Sequence, residues 1–200
     1  APVAAPAQSA PAGAVPGAGT PRPRILVAPD QVADLQARLD REPYRSLFLE
    51  LHRRTAAYDA AHTLGDPAIV AQRDHGRAAK NLAFQYALDR TVVDGAVVAF
   101  PDDAARRAVG DRVRDLLANL YPRSRMAVPP PIGGWDRDIN TSEEVIDFAT
   151  AYDTLLGAGY DFGPDGAGDA IADRLGGLVA ELHRNYVEPA TAGNAADLLQ

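Results

Sequence analysis

The chain of 200 residues contains no cysteine, which removes disulfides, thiol catalysis and cysteine-ligated zinc together. Lysine is almost absent as well: of 20 basic residues only Lys80 is a lysine, so nearly all positive charge is planar guanidinium. Aromatic residues make up 6%, with a single tryptophan, Trp135. No apolar run approaches the ~18 residues of a membrane span, and no membrane partner is expected. A net charge of -7 leaves no broad positive field to draw in a phosphate backbone, so no nucleic acid is expected either. An acidic sugar stays open, because a few arginines in a cleft bind it whatever the overall charge.

What is present is alanine, proline and helical periodicity. Residues 1–23 consist almost wholly of Ala, Pro and Gly, which bury too little to offset their ordering entropy, and read as an extended leader. The segment lacks the basic start and apolar middle of a signal peptide but resembles what remains after one is cut, so a secreted or periplasmic location is expected. Residues 24–200 read as one helical domain. Pro29-Asp30 opens a first helix with Val32, Leu35 and Leu39 at helical spacing, and a second begins near Pro43 with Tyr44, Phe48, Leu51, Thr55 and Tyr58 on one face. Gly65-Asp66-Pro67 breaks it, and a third runs from about Ala68 to Leu88.

Thr91 to Phe100 is β-branched, but Asp94-Gly95 interrupts it, and it reads as an apolar loop rather than a strand pair. Pro101-Asp102 opens a fourth helix carrying Val109, Val113, Leu116 and Leu120, weakened by Gly110 inside its stripe. Thr141 and Glu144 have the spacing of a capping box and are predicted to start a fifth helix, with Val145, Phe148, Tyr152 and Leu155 inward and Gly157 or Gly159 at its end. A sixth carries Ile171, Leu175, Leu178, Leu182 and Tyr186. The expected class is all-α, built of antiparallel helix pairs. "NAADLLQ" begins a further apolar pattern, so the domain reads as truncated at its C-terminal end.

No metal or other cofactor is expected. Asp136, Asp138 and Asn140 have the spacing of calcium-loop ligands, yet Thr141 stands where such a loop needs glycine and Asp147 where it needs glutamate. His52, His62, His75 and His183 lack any close ligand spacing. There remain arginines, amides and aromatics near helix starts: Arg123, Arg125, Trp135, Arg137 and Asn140, with Asn81, Gln85 and Tyr86 on the third helix. Aromatic faces and planar polar groups are what bind sugar C–H surfaces, hydroxyls and carboxylates.

Four stretches in order, "PRILVAPDQVADLQARLD", "NLAFQYALD", "GGWDRDINTSEEVIDFATAYDTL" and "ELHRNYVEP", resemble the helical part of heparinase II/III-like and alginate lyase-like polysaccharide lyases. The resemblance covers roughly residues 22–200. It implies part of an incomplete (α/α) toroid and β-elimination beside a uronic acid, where one group masks the carboxylate and a tyrosine or histidine takes the C5 proton. The family's Asn-His pair has no counterpart among these residues, so the catalytic Asn, His and Tyr are expected beyond residue 200, and the remainder of the same polypeptide is an expected partner. Trp135, Arg137, Asn140 and Gln85 are then the substrate-binding candidates, with an acidic polysaccharide or oligosaccharide as ligand, and this portion alone is expected to bind without turnover. Other readings are a noncatalytic carbohydrate-binding or scaffold module, or an (α/α) glycoside hydrolase domain, which would need two carboxylates across a cleft.

Overall fold

A computed structural model describes residues 27–61, 73–118 and 135–183; within these, the side chains of residues 29, 59–61, 73–74, 135–142, 144 and 181–182 are outside the description. A 3-10 turn, Pro29–Gln31, leads into α1 (Val32–Arg38), followed by α2 (Tyr44–Ala61), α3 (Arg73–Leu88), strands β1 (Thr91–Val93) and β2 (Ala96–Val98), α4 (Asp103–Ala118), α5 (Trp135–Gly157) and α6 (Ala167–Leu182). The class is all-α, with one two-stranded sheet. The proposed break at Gly65-Asp66-Pro67, the start of the third helix at Ala68, Leu120 and Tyr186 lie outside the described residues.

Helix α3 is the centre of the packing, touching α1, α2, α4 and α5. Its sequence explains why it is enclosed: Gly76, Ala78, Ala79, Ala83 and Ala87 are buried and small, so neighbouring backbones come close, while Leu82, Tyr86 and Leu88 supply volume. The main core joins Ala78, Ala79, Leu82, Ala83 and Tyr86 to Val113, Leu116 and Leu117 of α4, Phe148, Ala151 and Leu155 of α5, and Ile171 and Leu175 of α6. A smaller core of Leu39, Phe48 and Leu88 is flanked by Val32, Leu35, Phe84, Val92 and Val97.

The helix directions follow from the contacts. His52, Thr55 and Tyr58 of α2 meet Gln85, Asn81 and His75 of α3 in reverse order, so this pair is antiparallel. By contrast, Arg77 and Lys80 near the start of α3 meet Glu143 and Asp147 of α5, while Tyr86 near the end of α3 meets Tyr160 just past the end of α5. Helices α3 and α5 therefore run in the same sense, with α4 antiparallel to both and packed against each.

Two expectations are corrected. The β-branched run is not a loop but an antiparallel hairpin with Thr91 opposite Val98 and Val93 opposite Ala96. Asp94 and Gly95, read as an interruption, form its two-residue turn, both with positive φ (50° and 76°), the geometry whose twist suits a tight hairpin. Nor does the fifth helix begin at Thr141: it is already helical from Trp135, and Thr141 sits in its second turn, where it cannot act as a nonhelical cap. The end was read correctly: Gly159, with φ 80°, lets Tyr160 N–H reach back to the Leu155 carbonyl (3.1 Å).

Gly110, a weak point by helix propensity, has a packing reason. A methyl group there would overlap Cδ2 and Cε2 of the Tyr160 ring and crowd Tyr86. Replacing glycine by alanine in a helix gains at most ~1 kcal/mol, whereas forcing extra volume into a packed core costs ~1–3 kcal/mol. Gly110→Ala should therefore lower stability in urea unfolding, while Gly176→Ala and Gly177→Ala, which meet nothing within 4 Å, should raise it; equal behaviour of the three would contradict the packing.

Candidate functional site

The α2–α3 seam is a connected line of polar groups in an otherwise apolar contact. Gln85, only 2% exposed, donates from Nε2 to the Asn81 carbonyl (3.4 Å) and turns Oε1 to Nδ1 of His52 (2.8 Å). An amide oxygen can only accept, so in this orientation Nδ1 of His52 is the donor of the pair. One turn further on, Asn81 donates to Thr55 Oγ1 (3.3 Å), and that hydroxyl donates to the Leu51 carbonyl (2.9 Å). At the far end Tyr58 Oη and His75 Nδ1 share a 2.6 Å hydrogen bond, and the His75 ring stands edge-on to Phe148 at 5.5 Å.

Because α3 and α5 run in the same sense, their first turns lie at one end of the bundle, together with Tyr58 and His75. Two ion pairs fasten them there: Arg77 to Glu143 at 3.7 Å, half exposed, and Lys80 to the nearly buried Asp147. The chain's only lysine is thus a strut between the two central helices. Its flexible stem lets the ammonium reach a carboxylate that the small residues around it leave room for.

Trp135, Arg137 and Asn140 belong to the first turns of α5 at this same end; their side chains lie outside the described residues. Gln85 is not with them. It sits near the opposite end of α3, buried, with both ends of its amide engaged. The sequence reading named His52, Tyr58, His75 and Lys80 but gave none of them a partner. Nothing local marks them, since each acquires its partner from another helix. Arg123 and Arg125 lie outside the described residues.

Tyr160, between α5 and α6, donates to Asp111 Oδ1 at 2.6 Å. Burial first, then that hydrogen bond and the Asp111 charge, hold its proton far above the ordinary tyrosine range, so it is no base near neutral pH. Among the described residues no group of three or more His, Asp or Glu is placed to hold a metal ion, and no helix is long and apolar enough to cross a membrane. Comparison with protein-family models, curated proteins and solved structures returned no match to this chain.

The strut makes a quantitative expectation. Lys80→Met leaves the Asp147 carboxylate nearly buried without its cation, and breaking a fully buried pair from one side costs ~3–5 kcal/mol. With Lys80 itself about a third exposed, water screens part of this, and a loss of ~1–3 kcal/mol is expected. The double variant Lys80→Met/Asp147→Leu should recover most of it. A double variant no more stable than Lys80→Met in denaturant titration would rule out the unpaired charge as the cause.

Proposed function

We propose that this chain is the helical front part of a secreted polysaccharide lyase, and that it binds uronate-containing polymer at the end of the bundle where α3 and α5 begin. On this reading α3 and α5 are neighbouring inner helices of an incomplete (α/α) toroid, with α4 packed outside them. The observation that carries it is the same-sense packing of α3 on α5. A ring of helix hairpins needs that relation between alternate helices, and Trp135, Arg137 and Asn140 belong to the early turns of α5 at the end where α3 also begins.

The physics of that end suits an acidic sugar. On this reading the two helix starts, facing one way, favour a carboxylate through the partial positive charge of their N-terminal ends. An indole offers a face for sugar C–H groups, Arg137 a fork for carboxylate oxygens and Asn140 an amide for hydroxyls. In a lyase, masking the uronate carboxylate makes the neighbouring C5 proton removable. The binding role falls to this end; the proton acceptor is assigned to no residue of this chain. The Ala/Pro-rich residues 1–23 support the exported location.

The single tryptophan makes the test direct, since its emission reports residue 135 alone. Oligosaccharides of alginate, hyaluronan or heparan sulfate should change Trp135 fluorescence saturably, and neutral maltooligosaccharides should not. Arg137→Ala should weaken the effect about tenfold, or ~1.4 kcal/mol. In the full-length protein, absorbance of an unsaturated uronate product should rise with one of these polymers. Binding without that rise would favour a noncatalytic module; no response to any uronate polymer would sink the proposal.

A further inference from the structure

Several of the described arginines pair with an acid on their own helix. Arg38 pairs with Asp34 at 2.6 Å, Arg53 and Arg54 both pair with Glu50 at 2.7 Å, and Arg114 approaches Asp111 at 3.8 Å and Asp115 at 3.1 Å. Arg106 and Arg107 do not, although acids stand close to them in sequence. Asp102 and Asp103 lie one turn before them, and Asp111 one turn after Arg107, yet neither arginine has a carboxylate within ion-pairing distance among the described residues.

The structure uses these two guanidinium groups differently. That of Arg106 lies over the Tyr86 ring, 4.3 Å from its centroid, and its Nε donates to the Tyr86 carbonyl at 3.1 Å. That of Arg107 lies 5.9 Å from the centroid of Tyr160. The two rings touch edge to face at 5.7 Å, and of the nearby acids Asp102 accepts from Ala105 N–H and Asp111 from Tyr160. Capping the end of α3 accounts for Nε of Arg106. It leaves the Nη edge, with no hydrogen bond to any described residue, and it does not involve Arg107 at all.

We infer that Arg106 and Arg107, held on the Tyr86–Tyr160 ring pair, form a second anion site that takes the carboxylate of a uronic acid. A guanidinium already immobilised by a ring face and a carbonyl loses little further freedom on binding, and its free edge matches a carboxylate two bonds at a time. The site is at the end of α3 opposite Trp135, so only the choice of sugar rests on the proposed function, and the anion site itself does not.

The test is titration of the ¹⁵N-labelled chain with sodium D-glucuronate and, separately, with alginate oligosaccharides, following the Arg106 Nε–H resonance and Trp135 fluorescence together. A saturable shift of Nε–H with glucuronate is expected, with a further gain in affinity for oligosaccharide if a polymer is the natural source. Affinity should fall at least tenfold in Arg107→Gln and in Arg106→Lys, which keeps the charge and loses the fork. Glucose at equal concentration should leave the resonance unmoved. Should Arg106→Lys fold poorly, the wild-type shift and Arg107→Gln decide alone. Unchanged affinity in Arg107→Gln, or a shift equally produced by glucose, overturns the site. A Trp135 response without an Nε–H shift overturns this site and leaves the first one standing, and the converse overturns the first.

Discussion

The near-contact of two helix backbones, α3 and α5, is the constraint from which the rest of the arrangement follows. Ala79, Ala83 and Ala151 are fully buried, and side chains no larger than a methyl set how closely neighbouring axes approach. Once α3 is enclosed in this way, its longer residues must find volume elsewhere. Leu82 and Tyr86 enter the main core with α4 and α6, and Leu88 enters the smaller one with Leu39 and Phe48. The binding end proposed for acidic sugar exists only because these two helices start together.

Apolar packing alone is tolerant of sliding, and small side chains most of all. The polar contacts supply what the alanines cannot, a preferred register. Lys80 with Asp147 fixes α5 along α3, and the His52–Gln85 and Asn81–Thr55 pairs fix α2. Each is a partly or fully desolvated group that loses its partner if the helix shifts by a turn, at a cost of ~1–3 kcal/mol per unsatisfied group. Thr154 Oγ1 stands outside this scheme: it is buried and has no hydrogen-bond partner among the described residues, and no physical account of it is evident.

Helix existence was legible because it is written locally. Phe48, Leu82, Val113, Phe148 and Leu175 recur with their neighbours at the helical period and are buried. Two local signals were misread through competition between rules. Asp94-Gly95 ends a strand pattern only if no second strand follows; with Ala96–Val98 behind it, the same pair is a hairpin turn. Thr141 and Glu144 have capping spacing, but a cap requires nonhelical backbone, and the residues from Trp135 onward are already helical. The site was less legible than the fold. His52 and Gln85 are 33 residues apart, Lys80 and Asp147 are 67, and no periodicity within one helix announces a partner on another. Arg106 and Arg107 likewise meet their rings, Tyr86 and Tyr160, outside their own helix.

The hairpin shows how a mostly helical chain carries β-structure without its usual hazard. Its strands are three residues each, joined by a turn that twists them strongly, and Val92 and Val97 are occupied by the helical core. So short a ribbon offers an incoming chain a single repeat of the ladder or less. Propagation of strands from one molecule to the next, the route by which open sheets polymerise, has no foothold on it.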